Sequence, residues 1–337
     1  MTEEAGNAAP SLSVVIPTHE RRASVERALR SLREQSILPH EYEVIVAIDG
    51  STDGTRELVE SAQMPFTLRA VWKPRGGRAS ACNAGWRTAA GRIVLFLDDD
   101  MEAARDCLRA HLEAHAVANQ LGVVGAVPIA ADESSPTVVR YVADRFNGHL
   151  RNLAAPGYEF GLRDFYSGNF SVARQAMDRV GGFDEAFTAY GNEDLDLSLR
   201  LRASGVRLVF SSAALAYQHY EKDFVALARD NLEKGRTAAQ LARKHPSAVH
   251  DLKLSQFSRG ALIPRLARNA MLATSERVPG TREMIVRAVA WMSEHRVRGL
   301  RHVYPVVLDY LYWLGARSAQ REPAMADDPG PAAALTR

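Results

Sequence analysis

The sequence has few cysteines, no long apolar run and no leader-like start. Cys82 and Cys107 are the only two cysteines in 337 residues, which is too few for a disulfide framework and typical of a reducing compartment. No apolar stretch reaches the roughly 18 residues that a membrane span needs. The longest, residues 303–314, is interrupted by a proline and an aspartate. Residues 1–10 lack the basic and apolar regions of a signal peptide. These absences predict a cytoplasmic protein.

Strong net charge is also missing, but the charge is unevenly distributed. The whole chain carries +2, whereas residues 221–320 hold 17 Lys and Arg against 9 Asp and Glu, a net charge of +8. The remainder therefore carries −6. The basic residues belong to no nucleic-acid recognition motif, so we do not expect nucleic-acid binding.

Short apolar runs alternate with helical patterns through the first hundred residues. This alternation predicts a parallel sheet with right-handed crossovers. The predicted strands are 12–16, 43–48, 67–72 and 93–97, and the helices between them include 23–35 and 79–88. Later segments are predicted as helix 105–119, strand 122–127, an irregular stretch 131–164, strand 167–173, helix 193–203, strands 206–210 and 214–217, and basic helices from Phe224.

Polar residues follow each of the first four strands, and in a parallel sheet these ends meet at one edge, where ligands bind. The segments are 18–22, 49–53, 73–78 and 98–100. The last is three consecutive aspartates, which repel one another unless a cation lies among them. Oxygen ligands suit Mg²⁺ or Mn²⁺. The alternative interpretation of the triplet is a solvated acidic turn.

In order and spacing, five segments resemble the inverting, metal-dependent nucleotide-sugar glycosyltransferases of the GT-A fold, glycosyltransferase family 2. These segments are residues 14–18, 49–55, 75–85, 98–100 and 191–194, with the turn 181–185 as a further likeness. The resemblance covers about residues 11–220. It implies a Rossmann-like α/β fold, with a mostly parallel central sheet flanked by helices and a C-terminal helical extension.

The resemblance also suggests a domain plan. A disordered N-terminus (1–10) precedes the catalytic domain (11–220), which has a nucleotide-sugar half (11–130) and an acceptor half (131–220). A basic helical region (221–321) and a disordered tail (322–337) follow.

On the donor side, the resemblance implies that Thr18 and Asp49 contact the base and ribose. A carboxylate accepts a hydrogen bond from a ring N–H, which suits Asp49. Asp53 is better explained as a turn residue. Arg75 and Arg78 lie among glycines that allow close approach to a phosphate, or form a solvated basic loop. The remaining candidates for nucleotide-sugar binding are Pro17, Glu20, Asn83, Asp98 and Asp99.

For the metal and the chemistry, the resemblance implies that Asp100 ligates the Mn²⁺ or Mg²⁺ and that Asp99 is a spacer. Asp98 would either ligate the metal as well or hold the ribose or a metal-bound water. His219 is a further candidate metal ligand, with a structural histidine as the alternative. Asp194 would be the general base and Glu193 would orient the acceptor. Both lie at a helix start, where the dipole favours carboxylates and Asn192 is a suitable N-cap.

The function implied is transfer of a hexosyl or N-acetylhexosaminyl group from a nucleoside-diphosphate sugar to a saccharide, lipid-linked or small-molecule acceptor. A UDP-sugar is favoured over GDP- and dTDP-sugars. The alternatives are a sugar nucleotidyltransferase, which normally has a glycine-rich signature after the first strand, and a non-catalytic membrane-surface module. The basic helices leave peripheral contact with an anionic membrane, or a homo-oligomer, open.

Overall fold

The computed structural model describes residues 9–118 and 120–321. The predicted disordered tail 322–337 and most of the predicted N-terminal segment, residues 1–8, lie outside the described residues. Within the described ranges the chain forms eight strands: β1 (Leu12–Thr18), β2 (Tyr42–Asp49), β3 (Thr67–Lys73), β4 (Ile93–Leu97), β5 (Met101–Ala103), β6 (Leu121–Ala126), β7 (Asn169–Ala173) and β8 (Arg207–Gln218).

Helices connect most of the strands and make up the C-terminal part of the described chain. Those helices are α1 (Arg22–Arg33), α2 (Thr55–Ser61), α3 (Arg78–Arg87), α4 (Cys107–Val117), α5 (Thr137–Leu153), α6 (Arg174–Val180), α7 (Glu193–Ala203), α8 (Phe224–Lys244), α9 (Leu262–Arg277), α10 (Thr281–Glu294) and α11 (Leu300–Arg321). Short 3₁₀ helices occur at Pro39–Glu41, Leu162–Asp164, Pro246–Asp251 and Lys253–Gln256.

The strands form one sheet in the order β3-β2-β1-β4-β7-β6-β8-β5. β3, β2, β1 and β4 pair in parallel, and β6 pairs in parallel with β8. β7 is antiparallel to both β4 and β6, and β5 is antiparallel to β8. The mostly parallel sheet is therefore as predicted, and β7 joins its two parallel parts.

Side chains of β1 alternate between two apolar layers, as a strand buried on both faces requires. Val14 and Ile16 pack with Leu29 of α1 on one face. Val15 packs with Trp86 of α3 on the other. Helices therefore cover both faces of the sheet, so the free space for a ligand lies beyond the strand ends.

The prediction that residues 131–164 are irregular is wrong for half of the stretch, because α5 runs through it. The dipeptide Asn147-Gly148 resembles a turn signal, but it lies within this helix. The amide of Asn147 accepts from the N–H of Ile129 and donates to its carbonyl oxygen, both at 2.9 Å. A tertiary contact therefore accounts for the asparagine.

The C-terminal helices share an apolar core that includes Phe224, Tyr304 and Trp313. α8 and α11 pack closely where glycines face the opposing backbone. A Cβ atom on Gly235 would overlap the carbonyl oxygen of Tyr312, and one on Gly315 would overlap that of Leu232. In the described ranges no helix combines the length and apolar character needed to cross a bilayer. The division into a catalytic and a helical domain stays a prediction.

Gly235→Ala and Gly315→Ala should each lower the free energy of unfolding by about 1–3 kcal/mol, because the added methyl groups force α8 and α11 apart. Gly148→Ala is the matched control. It also lies within a helix, but its Cβ would meet only Arg151 Nη2, at 3.6 Å. Thermal or urea unfolding measures the difference, and unchanged stability in both helix-crossing variants would contradict the close packing.

Candidate functional site

Side-chain hydrogen bonds connect the ends of β1, β2 and β4. Thr18 Oγ1 donates to Asp99 Oδ2 at 2.7 Å, which links the end of β1 to the aspartate triplet after β4. Glu20 Oε1 accepts from the N–H of Thr52 at 2.7 Å, which links β1 to the loop after β2. The convergence predicted from the strand ends is present. Pro17 is buried in β1, opposite Ala47 of β2.

Asp49 holds the glycine loop between β3 and α3. Its carboxylate accepts from the N–H groups of Gly76 and Gly77, at 2.7 and 2.8 Å, and from Lys73 Nζ at 2.9 Å. The predicted contact of Asp49 with a base stays a prediction, and the structure adds this role in positioning the loop. Arg75 is exposed at the outer side of the same loop.

Asp99, for which the resemblance implies the role of a spacer, has structural contacts of its own. Its side chain is buried, accepts the Thr18 hydrogen bond and lies 3.4 Å from Arg21 Nε. Burial raises the pKa of Asp99 to about 7, against the lowering effects of Arg21 and Thr18. Asp99 therefore fixes the triplet to β1, while Asp98 and Asp100 are more accessible.

Asp100 has one carboxylate oxygen that the protein leaves unsatisfied. Gln218 Nε2 donates to Oδ2 at 3.3 Å, whereas Oδ1 is buried without a hydrogen-bond partner among the described residues. Burial and the charge of Asp98 raise the pKa of Asp100. A buried carboxylate oxygen without a donor fits a metal ligand.

His219 lies next to Asp100 through its backbone. Its N–H donates to the Asp100 carbonyl oxygen at 2.8 Å, and its ring Nε2 lies 2.8 Å from Glu102 Oε2. Among residues 9–118 and 120–321, no three His, Cys, Asp or Glu side chains are grouped as a ready metal cage. Metal ligation by His219 stays a prediction.

Arg78 joins the donor and acceptor halves of the site. Its Nη2 donates to Asp98 Oδ1 at 2.6 Å, its Nη1 lies 3.6 Å from Glu193 Oε1, and Nη1 donates to Ser167 Oγ at 3.0 Å. The guanidinium also lies 5.9 Å from the ring centroid of Phe183. One cation therefore neutralises carboxylates that are far apart in the chain.

Glu193 and Asp194 occupy the first turn of α7. Glu193 is buried, and its Oε2 has no hydrogen-bond partner within the described chain. Burial and the charge of Asp194 raise the pKa of Glu193 to about 7, against Arg78. Burial likewise raises the pKa of Asp194, against Arg78, the Leu195 N–H and Lys234. Asp194 is only half-buried, so a substrate hydroxyl can reach it.

Asn192 occupies the N-cap position of α7 as expected, but its side chain does not cap the helix. Asn192 has a φ of 67°, in the left-handed region, and makes no side-chain capping hydrogen bond. Its amide nitrogen instead donates to the Lys234 carbonyl oxygen at 3.0 Å and to Thr237 Oγ1 at 2.7 Å. Helix α8 therefore holds the segment that carries Glu193 and Asp194.

Two lysines that no sequence pattern indicated flank Tyr190. Their ammonium groups lie 4.5 Å (Lys222) and 5.3 Å (Lys234) from the ring centroid. Lys222 is paired with Asp230 at 2.6 Å. No local motif marks these lysines, because only the packing of α8 and of the residues just before it brings them to Tyr190.

Asn83 has a structural role instead of facing the site. Its buried amide accepts from the Phe183 N–H at 2.8 Å and donates to the Phe183 carbonyl at 2.9 Å, and it also binds Glu185 and Trp86. It therefore fixes the turn at residues 181–185 to α3.

Asp53 is a turn residue as expected, since its carboxylate accepts hydrogen bonds from Thr55 Oγ1, from the Thr55 N–H and from the Arg22 N–H.

Two cavities lie beside the aspartate triplet. The smaller, about 330 Å³, is lined by Asp100, Arg21 and Lys222. The larger, about 530 Å³, lies between the start of α5, the chain after β8 and the end of α10. Both include residues 220–223, so the larger cavity adjoins the candidate site.

Family models and curated relatives both identify similar glycosyltransferases. The family described as Glycosyl transferase family 2 matches residues 13–182, and a second, the N-terminal domain of galactosyltransferase, matches residues 148–223. Validoxylamine A glucosyltransferase of Streptomyces hygroscopicus subsp. limoneus is 31% identical over 276 residues, covering 74% of this chain and 60% of that protein.

A pre-mycofactocin glycosyltransferase of Mycobacterium tuberculosis is 30% identical over 247 residues, which cover 72% of this chain and 50% of that protein. The chain thus spans between half and two thirds of the length of these curated relatives.

Solved structures share the fold at low sequence identity. The mannosyltransferase PcManGT from Pyrobaculum calidifontis, in complex with GDP-Man and Mn²⁺, has a TM-score of 0.60 at 19% identity and covers 93% of this chain and 88% of its own. S. aureus TarS 1-349 with UDP-GlcNAc has a TM-score of 0.53 at 17% identity, with 92% and 91% covered.

The matches include the elements that build the site. The first family match contains the ends of β1 to β4 and the start of α3. The second contains β7, α7 and the end of β8. The predicted GT-A fold is confirmed, and the chain belongs to glycosyltransferase family 2.

Proposed function

We propose that this protein transfers a sugar from a nucleoside-diphosphate sugar to an acceptor hydroxyl with inversion at the anomeric carbon. A UDP-sugar is the preferred donor, with GDP- and dTDP-sugars as the next candidates. The support from relatives is that PcManGT is described with GDP-Man and Mn²⁺ and TarS with UDP-GlcNAc. A saccharide, lipid-linked or small-molecule acceptor is compatible with this proposal.

The observation that carries the proposal is the Arg78 bridge. Asp98 at the end of β4 and Glu193 at the start of α7 contact the same guanidinium. A donor carboxylate and an acceptor carboxylate are therefore held close enough to act on the two ends of one transfer reaction. Proximity of this kind lowers the activation barrier by removing the entropy cost of bringing reactants together.

On the donor side, Asp100 and Asp98 would hold Mn²⁺ or Mg²⁺. The unpartnered Oδ1 of Asp100 supports this, and Asp98 supplies an oxygen beside Gly168, whose absent side chain leaves room for the carboxylate. When bound, such a cation neutralises the charge that develops on the leaving diphosphate. Thr18 holds Asp99 and thereby the orientation of the triplet.

On the acceptor side, Asp194 would accept the proton of the attacking hydroxyl. Its carboxylate Oδ1 accepts from the Leu195 N–H at 2.8 Å, which orients it, and it remains accessible. The raised pKa of Asp194 makes it a stronger base than a solvated aspartate. Buried Glu193, with one unpartnered oxygen, would orient the acceptor.

Asp194→Asn should lower kcat by at least about 100-fold, because general-base catalysis contributes a factor of this size. Nucleotide binding should be nearly unchanged. Single-turnover transfer and calorimetric nucleotide titration measure the two quantities. Asp178→Asn, at an exposed aspartate of α6, is the control. Equal loss of nucleotide binding would show that Asp194 is not the base.

The rate of transfer should fall as the pH becomes acidic, because burial raises the pKa of Glu193 to about 7 and also raises the pKa of Asp194, so that acid protonates both before it would protonate solvated carboxylates. The charged groups that face this pair are Arg78 from α3, Asp98 from β4 and Lys234 from α8.

Arg78→Gln removes a charge that lowers both pKa values, so the acidic limb of the kcat profile should move up by about one pH unit. Arg87→Gln, on the same helix, should leave the midpoint unchanged. A midpoint that stays in place without Arg78 would rule out this coupling.

UDP, GDP or dTDP should raise the melting temperature only with Mn²⁺ or Mg²⁺, because the proposed cation neutralises the diphosphate. The shift should be measurable, since a ligand at 100 times its Kd stabilises the folded protein by about 2.7 kcal/mol. Asp100→Ala should remove the metal-dependent part of the shift. Asp132→Ala, at an exposed loop aspartate, should retain it. A full shift in Asp100→Ala would exclude this residue as a ligand, and the nucleotide with the largest shift identifies the donor class.

A further inference from the structure

Helices α9 and α10 carry large apolar side chains on their outer surfaces. On the first turns of α9, Leu262, Ile263 and Leu266 are 59%, 79% and 57% exposed. On α10, Met284 and Trp291 are 64% and 57% exposed and lie two helical turns apart on the same face. No described part of the chain covers these five side chains. Exposed apolar residues grouped in this way mark an interaction surface.

These outer faces are not needed for the fold. The inner side of α9 is fixed by Arg268, which stacks on Phe257 at 4.1 Å and donates to Asp309 at 3.1 Å. The inner side of α10 is fixed by Val289, which belongs to the core of the C-terminal helices. Both helices are therefore held in place while their opposite faces remain free.

The segment that contains both helices is strongly positive. Residues 259–301 contain nine arginines, no lysine or aspartate and three glutamates, a net charge of +6 in a chain of net +2. Arg259, Arg287 and Arg298 are exposed and form no side-chain hydrogen bond or ion pair with described residues. Their charge is thus available to an external partner.

We infer that the surface formed by Leu262, Ile263, Leu266, Met284 and Trp291, with its flanking arginines, docks on an anionic lipid bilayer. Apolar side chains on one face with arginines beside them are what an interfacial helix requires. Tryptophan suits the boundary between headgroups and acyl chains. A second copy of this chain is a poorer partner, because the unpaired arginines Arg259, Arg287 and Arg298 of the two copies would repel each other.

The docked helix α10 also borders the larger cavity. Ala290, Ser293 and Glu294 line that cavity, while Trp291 faces outward. A chain bound to a bilayer through α10 therefore carries the larger cavity close to the lipid surface. This cavity shares residues 220–223 with the smaller cavity, which Asp100 lines. The docking itself does not depend on the proposed sugar transfer.

Vesicle co-sedimentation of the full chain tests the inference. In about 0.1 M salt, the chain should bind vesicles made of phosphatidylcholine and phosphatidylglycerol in equal amounts. This binding should weaken at about 1 M salt, because the charges are then screened. Binding to vesicles of phosphatidylcholine alone should be weak. Equal binding to both kinds of vesicle, or none to either, would overturn it.

Paired variants separate the apolar and the charged contributions. Ile263→Gln with Leu266→Gln should weaken partitioning at least about tenfold, given the apolar area withdrawn from the bilayer. The control pair is Leu38→Gln with Val117→Gln, at residues that are 58% and 86% exposed on the catalytic body. Arg287→Gln with Arg298→Gln should also weaken binding to anionic vesicles.

The control for the arginine pair is Arg33→Gln with Arg207→Gln, at exposed arginines elsewhere in the chain. This pair changes the net charge by the same amount, and it should bind anionic vesicles as the unaltered chain does. Nucleotide-induced thermal shifts should be the same in all four pairs, which verifies folding. If the α9 pair instead changes the sedimentation coefficient without lipid and leaves vesicle binding intact, the surface is an interface between copies and the inference is wrong.

Discussion

The ion pairs of Arg78 are the interaction on which the site depends. Asp98, Asp99, Asp100, Glu193 and Asp194 crowd one cleft, and such a set of carboxylates is unstable without compensating charge. Arg78 meets two of them, Asp98 at 2.6 Å and Glu193 at 3.6 Å. Because its planar guanidinium offers several donors at fixed angles, one side chain can serve both. The carboxylates that Arg78 does not contact supply the negative charge on which the proposed divalent cation depends.

The position of Arg78 is itself determined by Asp49. The carboxylate of Asp49 binds the N–H groups of Gly76 and Gly77, directly before α3 begins at Arg78. Gly77 has a φ of 88°, which a residue with a Cβ rarely adopts, and a Cβ there would lie 3.3 Å from the Thr188 carbonyl oxygen. The end of β2 thus orients the cation that connects β4 to α7.

The C-terminal helices complete the acceptor side. Asn192 is held in its left-handed conformation by Lys234 and Thr237 of α8. α8 in turn packs against α11 at Gly235 and Gly315. Backbone strain of this kind persists only where surrounding contacts enforce it, so the helical region holds the segment that carries the proposed general base.

Local sequence patterns determined the strands, most of the helices, the polar strand ends and the two acidic motifs. Periodicity and turn residues are properties of neighbouring positions, and parallel strands necessarily bring their carboxyl ends to one edge. Only the tertiary structure decided that Asp99 is buried against Thr18 and that Asn83 is structural. It also decided that α5 runs through an apparent turn at Asn147-Gly148 and that Arg78 lies beside Glu193. Each of these depends on which distant segment packs beside the residue, and that choice leaves no periodic signal in the chain.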